Sequence, residues 1–156
     1  MNGRGFLGNQ RLSCGFADSP GLCRSMNRRQ VIVGQSKAVF VVDDDPSMLK
    51  GVRRLLKQHG FDTVPFETAR ALQDHDDFTE AFCLVLDINL GDGSGIELRH
   101  QLADAGVFLP VIYITGNDSD ATRMAAMASG CLAYLTKPFP AESLIEPVRR
   151  AAAGLG

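Results

Sequence analysis

Short apolar runs alternate with longer amphipathic stretches five times, from about residue 38 toward the end of the chain. The runs are five or six residues long, too short for buried helices, and rich in Val, Ile, Leu, Phe and Tyr. This alternation predicts a parallel sheet with helices on both faces. The predicted strands are Ala38–Val42, Phe61–Phe66, Phe82–Leu86, Val111–Thr115 and Cys131–Thr136.

The intervening stretches carry apolar residues at helical spacing. We expect the first helix to begin near Pro46–Ser47 and to stop at Gly60. Asp118 or Ser119 is the predicted cap of the helix that ends before Gly130. The predicted core stripes are Leu49, Val52 and Leu56; Leu98, Leu102 and Ala105; and Leu144, Val148 and Ala151.

Two prolines refine this picture. Pro65 lies inside the second apolar run, and a proline is tolerated in an edge strand but not in a central one. In a flavodoxin-like sheet of order 2-1-3-4-5, the second strand is an edge strand. We therefore predict a doubly wound, flavodoxin-like (βα)5 domain of the α/β class over residues 38–152, with a tail over 153–156. Pro147 should kink the last helix because it removes a hydrogen bond.

The charge distribution separates residues 1–37 from the rest. They hold six basic residues and one acid, in a chain whose net charge is −2. Such an arm could bind nucleic acid or an acidic surface, but its Gly, Ser and Asn content favours a flexible, disordered extension. No apolar run approaches the roughly 20 residues of a membrane helix. We expect a cytoplasmic protein with neither membrane nor direct nucleic-acid binding.

Candidate chemistry gathers where the predicted strands end. Carboxyl ends of parallel strands collect ligand-binding residues. Converging carboxylates repel one another unless a cation neutralises them, and oxygen ligands favour Mg²⁺. A lysine and a hydroxyl suit a phosphate oxygen. The residues at these ends are Asp43, Asp44 and Asp45; Asp87; Thr115 and Gly116; and Tyr134 to Phe139, which includes Lys137.

These residues stand in motifs that resemble the CheY-like receiver domains of two-component response regulators. The resemblance covers about residues 38–150, and the motifs follow the first, third, fourth and fifth predicted strands in order. The matching segments are VVDDDPS (41–47), LVLDINL (84–90), SGIEL (94–98), PVIYITG (110–116) and AYLTKPF (133–139).

The resemblance implies a role for each site residue. Asp87 is the implied phosphoacceptor. Asp44, Asp87 and the backbone carbonyl of Asn89 would ligate Mg²⁺, and Asp43 would reach it through water. Lys137 would pair with the acyl phosphate, and its bond to Pro138 would be cis. Thr115 and Tyr134 would act as the switch that carries the signal to the fourth and fifth helices and the fifth strand.

The resemblance also implies partners. A sensor histidine kinase or phosphotransfer protein would supply the phosphoryl group, a downstream protein would read it, and a homodimer is an open alternative. The chain would not be an enzyme beyond catalysing its own phosphorylation and dephosphorylation. It would work alone or as a piece of a longer regulator. The loop Gly91–Gly95 lacks a proline that is frequent in the family, so we expect it to be looser.

Two further classes stay open at this point. Asp43-Asp44-Asp45-Pro46-Ser47 also matches the DxDx(S/T) pattern of haloacid-dehalogenase-type phosphatases, in which Asp43 would be the nucleophile. That reaction needs another acidic pair after Lys137, and only Glu142 and Glu146 are offered there. The second alternative is a pseudo-receiver, a protein-binding module that never carries phosphate. The three histidines, His59, His75 and His100, are expected at the surface.

Overall fold

The structure, a computed structural model, describes residues 37–154. Of the predicted extension 1–37 only Lys37 lies within that range, and residues 155–156 of the predicted tail lie outside it. The elements are β1 (Ala38–Val42), α1 (Pro46–Gln58), β2 (Asp62–Phe66), α2 (Ala69–Gln73), β3 (Ala81–Asp87), β4 (Asn89–Leu90), β5 (Gly93–Ser94), α3 (Gly95–Asp104), β6 (Val111–Thr115), α4 (Asp120–Ala128), β7 (Ala133–Thr136) and α5 (Ala141–Ala152).

The main sheet has the order β2-β1-β3-β6-β7, and all its strand pairs are parallel. The two-residue strands β4 and β5 form a separate antiparallel ribbon. Without that ribbon, the order is the predicted 2-1-3-4-5, and the flavodoxin-like α/β fold is confirmed. Pro65 lies opposite Val41 in β2, at the edge of the sheet, where the missing donor is tolerated.

Alternate residues of the central strands supply two separate cores, because successive side chains of a strand point to opposite faces. In β1, Val39 and Val41 pack with the apolar stripes of α1 and α5. Phe40 and Val42 face the other way and pack with α2, α3 and α4. The predicted stripes of the first and last helices are confirmed, since Leu49, Val52, Leu56, Leu144, Val148 and Ala151 are all buried.

Side-chain caps explain where the helices begin. Asp45 precedes Pro46 and accepts a hydrogen bond from the Ser47 N–H, so the third acid of its run is an N-cap. Ser119, one of the two predicted caps, accepts from the Thr122 N–H at the start of α4. Pro147 is buried inside α5, and the helix continues on both sides of it.

Two expectations about the helical side are wrong. Ala105 is exposed because α3 ends at Asp104 and the chain turns away at Gly106, whose φ is +88°. His75 is half-buried, with its ring centroid 5.1 Å from that of Phe40, 5.4 Å from Phe66 and 5.6 Å from Phe78. In the loop over residues 91–95, Gly93 and Ser94 pair with Leu90 and Asn89 in the β4–β5 ribbon, and the expected looseness of this loop stays a prediction. Within the described residues, no helix is both long enough and apolar enough to cross a membrane.

Candidate functional site

Three carboxylates meet at the carboxyl edge of the sheet. Asp43 and Asp44 directly follow β1, and Asp87 is the last residue of β3, which pairs with β1. One oxygen from each carboxylate lies within 4.8 Å of the others. Asp43 and Asp87 are buried, whereas Asp44 is exposed, so the cluster opens to solvent on one side. The predicted convergence of these three acids is confirmed.

Lys137 reaches the same cluster from the loop after β7. Its Nζ lies 3.1 Å from Asp43 Oδ2 and 3.5 Å from Asp87 Oδ2. The loop is held in place because the Lys137 N–H donates to the Thr115 carbonyl at 2.8 Å. The Lys137–Pro138 peptide bond is cis, as expected. One cation therefore stands against two of the three acids, which leaves negative charge in excess.

That excess charge shows in the pKa values. Burial, and then the neighbouring Asp43 carboxylate, raise the pKa of Asp87 to about 6, although Lys137 and the Asn89 N–H oppose the shift. Burial by itself would lower the pKa of Lys137, but its contacts with Asp43 and Asp87 raise it overall. Lys137 is therefore a fixed positive charge, and Asp87 is a carboxylate whose ionised form lacks full compensation.

Asn89 bridges Asp87 and Thr115. Its backbone N–H donates to Asp87 Oδ1 at 3.3 Å, and its side-chain amide donates to Thr115 Oγ1 at 3.1 Å. The Asn117 N–H donates to the same hydroxyl oxygen at 3.0 Å. Thr115 is fully buried. The hydroxyl oxygen is therefore held by two donors. One is Asn117, in the loop after β6, and the other is Asn89, two residues after Asp87.

Gly95 is a residue of this site that the sequence patterns did not single out for function. A Cβ at position 95 would lie 2.4 Å from the Asp87 carbonyl oxygen. The first turn of α3 therefore passes against the backbone of Asp87, which only glycine permits. The Gly95 N–H also donates to the Ile88 carbonyl. Its position directly after the helix cap Ser94 is the sequence feature by which it could have been predicted.

The oxygen donors suit a hard divalent cation. Asp43, Asp44 and Asp87 supply carboxylate oxygens, and within residues 37–154 no thiol or imidazole belongs to this cluster. The net charge of the three acids with Lys137 is negative. These are the preferences of Mg²⁺, which retains several waters and takes one or two protein carboxylates. The residues therefore fit the ion that the sequence analysis expected.

Comparison with known proteins decides the family. The model of the response regulator receiver domain matches residues 39–149, which is most of the chain. The chain belongs to the response-regulator receiver domain family. The receiver is 34% identical over 110 residues to nodulation protein W of Bradyrhizobium diazoefficiens, with 70% of this chain and 48% of that protein covered. It is 29% identical over 123 residues to the response regulator protein TmoT of Ectopseudomonas mendocina, covering 79% and 56%.

A solved receiver structure agrees with the fold. The structure titled FixJ-N has a TM-score of 0.67 and 30% identity, and the match covers 78% of this chain and 98% of that one. The receiver spans about half the length of the curated relatives it matches. The matches leave about half of each relative uncovered, so the activities of those whole proteins cannot be assigned to this receiver.

Tyr134, the second predicted switch residue, lies on β7, and its side chain is half-buried against the core. Tyr134 Oη donates to Asp118 Oδ1 at 2.8 Å. Arg123 forms an ion pair with the other oxygen of Asp118 and places its guanidinium carbon 5.5 Å from the Tyr134 ring centroid. The structure therefore brings Thr115 to the acid cluster but leaves Tyr134 on the flank beside α4.

The phosphatase alternative does not fit the receiver site. Glu142 and Glu146, the acids it would need beyond Lys137, are exposed on α5, and Glu142 pairs with Arg149 at 3.3 Å. Asp45 is occupied as the cap of α1. Asp43 is 2% exposed and already accepts from the Asp45 N–H at 2.9 Å. The family match identifies these residues as a receiver site and not as a phosphatase site.

Asp92 is another residue whose role the patterns missed. Its two carboxylate oxygens accept from the N–H groups of Ala69 and Arg70 at 3.1 and 3.0 Å. These hydrogen bonds lower the pKa of Asp92. Asp92 belongs to the turn of the β4–β5 ribbon, so that ribbon is fixed to the first turn of α2. A contact across 22 or 23 residues of sequence leaves no local signature.

Proposed function

We propose that this receiver takes a phosphoryl group from a phosphohistidine onto Asp87, and so acts in phosphorelay signal transduction. The observation that carries the proposal is the pairing of a buried, incompletely compensated Asp87 with Lys137 Nζ at 3.5 Å. A carboxylate cluster in that state would bind a divalent cation, and that cation together with Lys137 would offset the charge of an incoming phosphoryl group. The donor would be a sensor histidine kinase or a phosphotransfer protein.

In the proposed reaction, a carboxylate oxygen of Asp87 attacks the phosphorus in line. An O–P bond forms, the P–N bond of the phosphohistidine breaks, and the imidazole leaves with the electron pair. Asp43, Asp44, Asp87 and the Asn89 carbonyl would hold Mg²⁺, which when bound offsets charge on the equatorial phosphoryl oxygens. Lys137 would pair with one of these oxygens once Asp87 carries the group.

Signal output would begin at Thr115. Its hydroxyl oxygen accepts hydrogen bonds from Asn89 and Asn117. A phosphoryl group on Asp87 would offer a charged acceptor to the hydroxyl proton. Movement of Thr115 toward that group would free the loop after β6 and allow Tyr134 to turn inward. A downstream protein would read the altered surface of α4, β7 and α5.

The remaining properties follow from this role. The chain would be a signalling module that catalyses only its own phosphorylation and dephosphorylation. We propose a cytoplasmic location, where the proposed phosphohistidine donor would meet the receiver. Direct nucleic-acid binding and membrane insertion are not part of the proposal, and a homodimer is a separate question for the oligomeric state.

The test is incubation of the purified chain with acetyl phosphate or phosphoramidate and Mg²⁺, followed by mass analysis. We expect a mass gain of one phosphoryl group that is lost in Asp87→Asn and in the presence of EDTA. Asp104→Asn is the matched control, because Asp104 is an exposed acid at the end of α3 and lies outside the cluster. It should be phosphorylated like the wild type.

Two results would contradict the proposal. Label mapped to Asp43 rather than Asp87 would support the phosphatase chemistry. No mass gain with either donor, in protein shown to be folded, would mean a pseudo-receiver that binds its partners without carrying phosphate.

A further inference from the structure

Three side chains from three elements form a closed set of contacts on the flank of the receiver. Asp118 lies in the loop between β6 and α4, Arg123 on α4 and Tyr134 on β7. Tyr134 Oη donates to one oxygen of Asp118 at 2.8 Å, Arg123 pairs with the other oxygen, and Arg123 also lies against the Tyr134 ring. Each residue thus contacts both of the others, which holds Tyr134 in a position that we call outward, with its hydroxyl on the loop before α4.

A single exposed ion pair contributes little, because solvent screens it and two flexible side chains must be ordered. Here the same ordering serves three interactions at once: a charge-assisted hydrogen bond, an ion pair and a cation–π contact. Asp118 is also only about one-third exposed at its side chain, at 34%, which reduces the screening. The outward position of Tyr134 therefore has a specific stabilisation in this chain.

The loop that carries Asp118 is linked to the buried switch residue. The Asn117 N–H donates to Thr115 Oγ1 at 3.0 Å, and Asp118 is the next residue. We expect a displacement of the Thr115 hydroxyl toward Asp87 to weaken this bond, because that hydroxyl is its acceptor. The loop would then be free to move, and Asp118 would no longer be held at the Tyr134 hydroxyl.

We propose that Asp118 and Arg123 are positioning residues that form a latch, which holds Tyr134 outward until Thr115 moves. This inference rests on the proposed function, since it assumes a phosphoryl group on Asp87 that draws Thr115. Linkage makes the coupling reciprocal: if the latch favours the outward tyrosine, it must also oppose occupation of Asp87 by a phosphoryl group. Removal of the latch then raises the affinity of Asp87 for a phosphoryl analogue.

The test measures both ends of this coupling. Beryllofluoride with Mg²⁺ serves as the phosphoryl analogue, and its dissociation constant is determined by titration. The chain contains two tyrosines and no tryptophan, so ¹³C-tyrosine NMR gives two sets of ring signals, and Tyr134→Phe assigns them. The variants are Asp118→Ala, Arg123→Ala and Arg123→Lys. Asp120→Ala is the matched control, because Asp120 is an exposed acid in the first turn of α4.

We expect Asp118→Ala to shift the free Tyr134 signals toward their beryllofluoride-bound positions and to tighten beryllofluoride binding roughly three- to ten-fold. Arg123→Ala should act in the same direction, and Arg123→Lys should lie between it and the wild type. Asp120→Ala should change neither readout by more than about two-fold. Because these side chains are at the surface, the variants should fold.

Different failures have different meanings. Asp118→Ala with unchanged Tyr134 signals, or with unchanged affinity while the wild type binds beryllofluoride, would overturn the latch alone. An Asp120→Ala effect as large as that of Asp118→Ala would also overturn it, because charge near α4 would then be the cause. A wild type that binds no beryllofluoride would overturn the proposed function, and the gating role of the latch with it.

Discussion

Helices α5 and α4 lie next to the same switch region but are attached to the sheet very differently. Five of the twelve residues of α5 are buried, among them Leu144, Ile145 and Val148. In the nine residues of α4 only Ala126 is buried, while Met124 and Met127 are 71% and 55% exposed. The helix that follows the Lys137 loop is thus anchored by several buried side chains, and the helix that carries Arg123 by one, Ala126.

This difference separates the parts that must stay fixed from those that can respond. Phosphoryl transfer needs Asp43, Asp87 and Lys137 at constant distances, and the α1–α5 face packs beneath them. Elements with few buried apolar contacts open and shift at low free-energy cost. We therefore expect α4 and the loop before it to carry the conformational response, and α5 to carry the stability.

The largest expected effect comes from deletion of a core side chain of α5. Leu144→Ala removes a fully buried side chain and should lower the free energy of unfolding by about 2–5 kcal/mol. The matched change on α4, Met124→Ala, should stay within about 0.5 kcal/mol because Met124 is exposed. Urea unfolding of both variants measures the two values. Equal losses would show that the two helices are anchored alike.

A smaller effect is expected where α3 passes the phosphoacceptor. Gly95→Ala places a Cβ 2.4 Å from the Asp87 carbonyl oxygen, so the backbone must shift, at a cost of about 1–3 kcal/mol. Phosphorylation by acetyl phosphate should slow at the same time. Gly51→Ala on α1 is the control: nothing lies within 4 Å of its added Cβ, and stability should rise by up to about 1 kcal/mol. An unimpaired Gly95→Ala protein would contradict the close approach.

The smallest of the three effects concerns the charge of Asp87. Its pKa rises from an ordinary 3.8 to about 6 in the folded protein, so folding binds a proton between these values. The stability that protonation gives is present below about pH 4 and is lost as the pH rises through about 6. Asp87→Asn should therefore be about 1–2 kcal/mol more stable than the wild type at pH 7.5 in EDTA.

Unfolding curves at several pH values test this sign. The advantage of Asp87→Asn should shrink as the pH falls from 7.5 to 4, and Mg²⁺ should reduce it at pH 7.5 by stabilising the wild type. Asp104→Asn, outside the cluster, should show neither trend. An advantage that grows toward low pH would mean that the ionised Asp87 is well compensated.

Much of this architecture could be predicted because it depends on local periodicity. The bounds of β1 and β6 match the predicted runs Ala38–Val42 and Val111–Thr115. The site residues could be located because parallel strands bring their carboxyl ends to one edge, so Asp43, Asp87, Thr115 and Lys137 needed only the strand order. Pro65 supported that order from a single position.

What the sequence did not predict depends on contacts between distant segments. The five-residue helix α2 is capped by Thr68 and by Asp92, and the second of these lies more than 20 residues away. His75 is polar, yet three phenylalanine rings from different segments surround it. The fifth predicted strand was two residues too long, since the chain turns at Gly130, with φ +81°, before β7 begins at Ala133.

Pro65 has a consequence for self-association as well as for topology. Among residues 37–154, no strand pairs with the outer edge of β2, and an open strand edge is a template on which another chain can add a strand. Pro65 is exposed on that edge, between the exposed acids Asp62 and Glu67. A proline and like charges are features that discourage strand addition. At high concentration, this side of the receiver is thus protected against the edge-to-edge pairing that leads to β-aggregation.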